Sequence, residues 1–257
     1  MEVPAPQAGE ARRLPAEAAA ALGLSADDLL AGQVLQAREG RYLLRLRRAG
    51  EACVLKWSHG PEARHEARAY ALLADLGVPT LRVLARAEAA LLLEDLDASP
   101  SWRLATPEDV SQSATGRAVA EWYRALHGAG RRWLAAQPAP PAWLAREADA
   151  LTPERLRWMG ARLDMPGDPL WDLAAGHIAS LQAAARSLPE TLTYNDFFWA
   201  NLALSRPRDD AARQALRAVV FDLHLLGIGL RHSDCRNVTS SLGPAAASAF
   251  RQAYGPT

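Results

Sequence analysis

The stretch Tyr194-Asn195-Asp196-Phe197-Phe198-Trp199-Ala200-Asn201 sets four aromatic rings around two polar side chains five residues apart. In a loop, Asp196 and Asn201 can converge on one point, the carboxylate as proton acceptor and the amide oxygen as a neutral ligand for a hard cation. The alternative is a buried turn whose Asn and Asp side chains bond their own backbone. Further along, Ala218-Val219-Val220-Phe221-Asp222 ends a run of four apolar residues in a carboxylate. The run reads as a buried strand. A charge at its inner end needs a cation, a metal or several donors, unless Asp222 only closes a turn.

Upstream, 28 of the 29 basic residues are Arg, and the single Lys is Lys56. A position that keeps Lys in such a chain points to a need for a compact ammonium rather than a planar fork, or to chance survival. Lys56 lies near the end of Ala52-Cys53-Val54-Leu55-Lys56-Trp57, where period-two alternation puts it on the face of Ala52 and Val54. A helix is expected next, capped at Gly60-Pro61 and ended by Gly77 and Pro79. Glu62, Glu66, Ala69, Leu73 and Leu76 fall on one stripe of it. Glu66 on that apolar side is costly unless paired, and a Lys56–Glu66 ion pair would satisfy both groups; the other reading leaves Glu66 in water.

The rest of the chain sorts into two parts. After a frayed lead-in come an Ala-rich helix over Ala16–Leu22 and strands at Gln33–Arg38, Tyr42–Arg47 and Ala52–Trp57. Turns at Glu39-Gly40-Arg41 and Ala49-Gly50-Glu51 separate the strands. Strands at Arg82–Ala87 and Ala90–Leu93 follow the helix. Beyond residue 97 the pattern turns helical, over Ala114–His127, Trp143–Arg162 and Leu170–Arg186, with a proline-rich connector at 137–141. Short strands are expected at Leu202–Leu204 and Leu216–Asp222. The expected class is α+β: residues 1–97 form a small antiparallel-sheet lobe with one helix, and residues 98–257 a larger, mainly helical lobe.

Strand Lys, helix Glu, Asp-x-x-x-x-Asn and strand-end Asp, in that order, resemble the protein-kinase-like phosphotransferases. More narrowly, the chain is similar to the aminoglycoside phosphotransferase and choline kinase group of small-molecule kinases. His65-Glu66-Ala67-Arg68, Leu91-Leu92-Leu93-Glu94-Asp95-Leu96, and the Gly227, Gly229 and Asp234 that follow Asp222 also resemble that family's segments. The resemblance runs from about Leu14 to Tyr254. It implies a two-lobe kinase fold and Mg²⁺-dependent transfer of the γ-phosphoryl group of ATP to a hydroxyl of a small molecule. It further implies that Lys56 meets the α- and β-phosphates and is held by Glu66, and that Gly40 marks the turn over the phosphates. Glu94 and Leu96 would lie where backbone groups grip adenine, Asn201 and Asp222 would hold Mg²⁺, and Asp196 would orient the acceptor and take its proton. Two positions depart from the family's His-Gly-Asp: Tyr194 and Asn195 stand for the His and Gly. With the His mainly structural in that fold, Tyr is expected to substitute.

Composition excludes other classes. The 257 residues carry 29 basic and 29 acidic groups, so there is no excess of charge for nucleic-acid phosphates. No apolar run approaches the ~20 residues of a membrane span, and the N-terminus lacks the pattern of a secretory signal. Cys53 and Cys235 cannot alone make a disulfide framework or a zinc site. A cytoplasmic globular protein is expected. Residues 98–257 carry 17 basic and 15 acidic groups, which counts against a polycationic acceptor. Seven of the eight Trp fall there, as core filling or as aromatic walls for a quaternary amine. The rival from another class is a catalytically silent pseudokinase that senses nucleotide or acts as a scaffold.

Overall fold

The computed structural model describes residues 9–206 and 215–256. Its N-terminal part is a five-stranded antiparallel sheet in the order β1-β2-β3-β5-β4. The strands are β1 (Gln33–Arg38), β2 (Arg41–Arg48), β3 (Glu51–Ser58), β4 (Val83–Ala87) and β5 (Ala90–Glu94). Two tight hairpins set the register. Glu39 and Gly40 have φ of 53° and 73°, and Ala49 and Gly50 have φ of 48° and 83°. Two successive left-handed residues match the twist of the flanking strands, which leaves Arg38 opposite Arg41 and Arg48 opposite Glu51.

Two helices, α1 (Ala16–Leu22) and α2 (Ala26–Ala31), cover one face of this sheet, bringing Leu22 and Leu29 into one cluster with Leu44, Leu55 and Trp57. The helix α3 (Pro61–Asp75) packs on the other side through Ala69, Tyr70 and Leu73, in a cluster continuous with the C-terminal part. Thus the sheet carries a further helix, α2, beyond the two expected. It is short but well closed: Ser25 and Asp28 make a reciprocal capping box.

The C-terminal part is built on α4 (Ser113–Ala135), which extends past the expected end at His127 because Ala129 and Gly130 continue its buried face. The last two helices, α7 (Arg231–Ser241) and α8 (Pro244–Tyr254), were not anticipated, and α8 lies directly on α4. The contact is backbone-close: a Cβ on Gly116 would meet the Ala246 carbonyl oxygen at 2.1 Å. Gly116→Ala is therefore expected to cost about 2–3 kcal/mol in urea unfolding by prising the two helices apart.

The helix expected over Trp143–Arg162 is only its second half, α5 (Pro153–Arg162). Thr152 caps it through the Arg155 amide with Pro153 in the first turn. Upstream, Arg146 pairs in parallel with Ile228 and cannot be helical. Helix α6 (Pro169–Arg186) packs against α5 around Leu156, Ala175 and Ile178.

Two small sheets complete this part. One joins β6 (Trp102–Leu104), β8 (Leu202–Ser205) and β9 (Ala218–Val220); the other pairs β7 (Thr191–Thr193) with β10 (Gly227–Gly229). Strand β9 is shorter than the expected Leu216–Asp222. Its register, Leu202 opposite Val220, sets Asn201 and Phe221 side by side, with the Phe221 amide donating to the Asn201 carbonyl at 3.0 Å. Two sequence segments some twenty residues apart thus end at one place.

A half-buried ion pair, with Asp109 inside, holds the approach to α4. Arg103 donates through both terminal nitrogens to Asp109 at 2.6 and 2.7 Å, and the Thr106 amide adds a bond at 2.8 Å. The Arg103 hydrogen bonds hold the Asp109 carboxyl down at about 2, against a usual 3.8. A depressed folded-state value means that the stabilisation is present above the usual value and is lost as pH falls from 3.8 through about 2. Asp109→Asn is expected to cost about 2 kcal/mol at neutral pH, a deficit that closes toward pH 2 when urea midpoints are compared across pH.

Candidate active site

Lys56 occupies the sheet face that alternation assigns to it, and its ammonium bridges two carboxylates. Its Nζ lies 2.7 Å from Glu66 Oε2 and 2.6 Å from Asp222 Oδ1. Glu66, on the buried stripe of α3, is 2% exposed. Burial alone would strip the proton from Lys56; the charges of Glu66 and Asp222 reverse that effect and hold the ammonium above its ordinary value. Glu66 also accepts from the Leu223 amide at 3.2 Å, and the neighbouring His65 ring bonds the Leu226 carbonyl at 2.7 Å. Helix α3 therefore fixes both the lysine and the turn that follows Asp222.

Asp222 leaves β9 with φ 64° and ψ 62°, a left-handed turn that Asp tolerates better than most residues. That turn brings His224 back onto it, with Nδ1 2.7 Å from Asp222 Oδ1. Although burial works the other way, hydrogen bonds and charge from His224 and Lys56 hold the Asp222 carboxyl well below the carboxylate range. On the other side of the site, Asn201 gives its amide NH₂ to Asp196 Oδ2 at 3.1 Å. Burial pushes the Asp196 carboxyl up, and the Asp222 charge adds to that push. Ligand atoms of Asp196, Asp222 and His224 all lie within 4.8 Å of one another. His224 lies outside the residues expected from the sequence; its signal is a histidine two residues beyond a strand-end aspartate.

The loop carrying Asp196 is braced from behind. Asp234, fully buried, accepts from the backbone amides of Tyr194 at 2.8 Å and Asn195 at 2.9 Å. His127 Nε2 lies 3.0 Å from Asp234 Oδ2, the oxygen that takes the Tyr194 amide, and His127 Nδ1 lies 2.7 Å from the Tyr254 hydroxyl. The two departures from the family pattern find their reasons here. Tyr194 donates its hydroxyl to the Phe221 carbonyl at 2.6 Å, tying the loop to the residue before Asp222. Asn195 sits at φ 66°, a conformation that glycine adopts freely and that Asn tolerates better than most residues. No sequence motif reveals His127, and Asp234 stands out only through the family resemblance.

A cavity of about 390 Å³ opens between the two parts. Lys56, Glu66, Glu94, Leu96, Asn201 and Asp222 line it, together with the apolar Leu35, Val54, Leu93 and Leu104. Gly40 is not among the lining residues; it serves the hairpin turn, while Leu35, Gln36 and Arg41 of the flanking strands face the cavity. Glu94 has its carboxylate taken by the Arg82 amide and by Ser99. None of the seven C-terminal tryptophans lines this cavity. Trp122 is buried, while Trp102, Trp133, Trp143 and Trp199 pack against the same core and Trp158 stands exposed. Most of them are core filling.

The donors at this site fit a divalent cation. The Asp222 carboxylate is kept ionised, and Asn201, its NH₂ spent on Asp196, has an amide oxygen to offer. Hard oxygen donors at the wall of this cavity suit Mg²⁺. Among the described residues no helix is long and apolar enough to cross a membrane.

A sequence model described as a phosphotransferase enzyme family matches residues 6–257. No curated protein matches the chain by sequence. Among solved structures, a choline/ethanolamine kinase family protein from Mesorhizobium loti superposes with a TM-score of 0.59 at 16% identity, covering 96% of this chain and 76% of its own. The ethanolamine kinase of Plasmodium vivax gives 0.57 at 10% identity, covering 90% and 69%. The macrolide 2'-phosphotransferase of Brachybacterium faecium gives 0.53 at 18% identity, covering 87% and 76%.

Proposed function

The chain belongs to the phosphotransferase enzyme family, and on that premise we propose that it moves the γ-phosphoryl group of ATP to a hydroxyl of a small molecule, with Mg²⁺. The observation that carries this reading is that Lys56, Glu66, Asn201 and Asp222 line a single cavity, with Asp196 beside it against Asn201 and Asp222. Residues 1–97 would serve the nucleotide, and residues 98–257 the catalytic loop and the acceptor.

In this reading the purine lies among Leu35, Val54, Leu93 and Leu104, held by backbone groups between Glu94 and Leu96. Lys56 meets the α- and β-phosphates, and Glu66 keeps its ammonium aimed at them. Asp222 and Asn201 are the residues that would hold Mg²⁺, which supplies positive charge against the phosphate oxygens when bound. Asp196 hydrogen-bonds the acceptor hydroxyl and takes its proton as the oxygen attacks the γ-phosphorus and ADP leaves. Its carboxyl, raised by burial and by Asp222, is a better proton acceptor than an exposed aspartate. Asn201 fixes the orientation of that carboxylate. Little else is asked of the protein, because phosphoryl transfer is mainly positioning and charge neutralisation. ATP as donor fits a cytoplasmic setting.

The acceptor class follows from charge. With no acidic excess in residues 98–257, a neutral or singly charged alcohol suits this chain better than a polycationic aminoglycoside. The test is ADP release with Mg²⁺-ATP against a panel of amino alcohols, sugars, macrolides and aminoglycosides. Acceptor-dependent release that stops when Mg²⁺ is chelated supports the proposal. Tight ATP binding with no release across the panel would instead favour the silent pseudokinase.

A further inference from the structure

A second cleft, of about 590 Å³, opens between the C-terminal half of α4, the approach to β7, the start of α7 and the end of α8. It shares no lining residue with the nucleotide cavity. Its charge is one-sided. Arg124, Arg131, Arg231 and His232 line it, and the only carboxylate among its lining residues, Glu190, is paired with Arg146 at 3.3 Å. Arg131 and Arg231 form no ion pair among the described residues. Helix α7 starts here with Leu230 as its N-cap, which offers no side-chain acceptor to the first-turn amides. Unneutralised guanidiniums gathered in a concavity concentrate positive potential, and their planar forks match phosphate and carboxylate oxygens.

The cleft also has a buried polar wall. His127, 5% exposed, lines it together with Thr191 and Tyr254. The Thr191 hydroxyl donates to the His127 carbonyl at 2.8 Å, and the His127 ring joins the Tyr254 hydroxyl to Asp234. Asp234 in turn holds the amides of Tyr194 and Asn195, next to Asp196. A ligand resting on this wall touches the brace of the catalytic loop, two hydrogen bonds from its backbone.

We infer that this cleft is a second ligand site, for a compact small molecule bearing two or more negative charges on phosphate or carboxylate groups, and that its occupancy stiffens the catalytic loop through His127, Tyr254 and Asp234. The second site stands independently of the phosphotransfer reading; the loop that it stiffens is catalytic only on that reading. Full-length protein in EDTA is titrated calorimetrically with inorganic pyrophosphate and, in a parallel arm, with tricarballylate. The titrations are repeated on Arg131→Gln, Arg231→Gln and their double variant, all exposed positions whose replacement spares the core. Lys56→Met/Glu66→Leu serves as a control that removes the ammonium of the nucleotide cavity together with its buried partner. Millimolar or tighter affinity is expected in at least one arm, weakened about tenfold or more by the double arginine variant and within about twofold of wild type in the control. Stronger binding of pyrophosphate assigns a phosphorylated ligand, and stronger binding of tricarballylate a polycarboxylate. Hydrogen exchange over residues 190–196 is expected to slow when the better probe is added to wild type, and to stay unchanged in the double arginine variant. Binding indifferent to the arginines, binding lost in the control, or no binding in either arm overturns the site. Exchange that is unaltered in wild type with the probe bound overturns the coupling.

Discussion

Asp196→Asn is expected to lower turnover by about 10²-fold or more while leaving nucleotide affinity within about twofold of wild type. The asymmetry follows from position. Asp196 does not line the nucleotide cavity; it stands beside it, receiving the Asn201 amide at 3.1 Å. An asparagine there keeps the size and one hydrogen-bond acceptor but cannot take a proton. Binding of ATP, which depends on Lys56, the apolar walls and the cation ligands, should barely register the change. The measurement pairs the acceptor-dependent rate of ADP release with the Kd of a non-hydrolysable ATP analogue. A variant that loses both equally would mean that the residue organises the nucleotide, and one that loses neither would remove it from the chemistry.

Lys56→Met is expected to damage the protein twice over. The first effect is on stability. The ammonium sits between Glu66 and Asp222 at 2.7 and 2.6 Å, so its removal leaves two carboxylates facing each other across a buried site. Stranding a charge as buried as Glu66 should cost about 3–5 kcal/mol in urea unfolding. The second effect is on function, with turnover falling by about 10²-fold or more as the phosphates lose their contact. The double variant Lys56→Met/Glu66→Leu separates the two. With the stranded carboxylate gone, stability should recover to within about 1–2 kcal/mol of wild type, the remainder reflecting the lost bond from the Leu223 amide. Turnover should not recover. Restored turnover would make Lys56 a structural residue, contrary to the account.

What the sequence made legible was periodicity joined to the rarity of one residue type. The strand period put Lys56 on the face of Ala52 and Val54, the helix period put Glu66 on an apolar stripe, and pairing the two settles the cost that each poses. The hairpin turns at Gly40 and Gly50 were likewise readable from local chemistry. Gly40 shows the limit of that reading: its positive φ closes a turn but does not bring it to the cavity wall. Other features depend on contacts that no local pattern encodes. His224 reaches Asp222 only because the chain turns left-handed at φ 64°. The brace formed by His127 and Asp234 joins residues 107 apart. The expected helix from Trp143 failed because Arg146 pairs with Ile228, a tertiary demand that overrides an amphipathic pattern. Helix α2 stayed hidden for a different reason: at six residues it is too short to show a clear period.

The claim on which the account rests is that Asp222 works at a metal-bound triphosphate. Its most direct test is the affinity of a non-hydrolysable ATP analogue, measured with and without Mg²⁺, in wild type and Asp222→Asn. The account predicts that Mg²⁺ tightens binding to wild type by about tenfold or more, that this gain disappears in Asp222→Asn, and that adenosine binds both proteins alike. Nucleotide binding indifferent to Mg²⁺ in wild type, or an undiminished Mg²⁺ gain in Asp222→Asn, would contradict it.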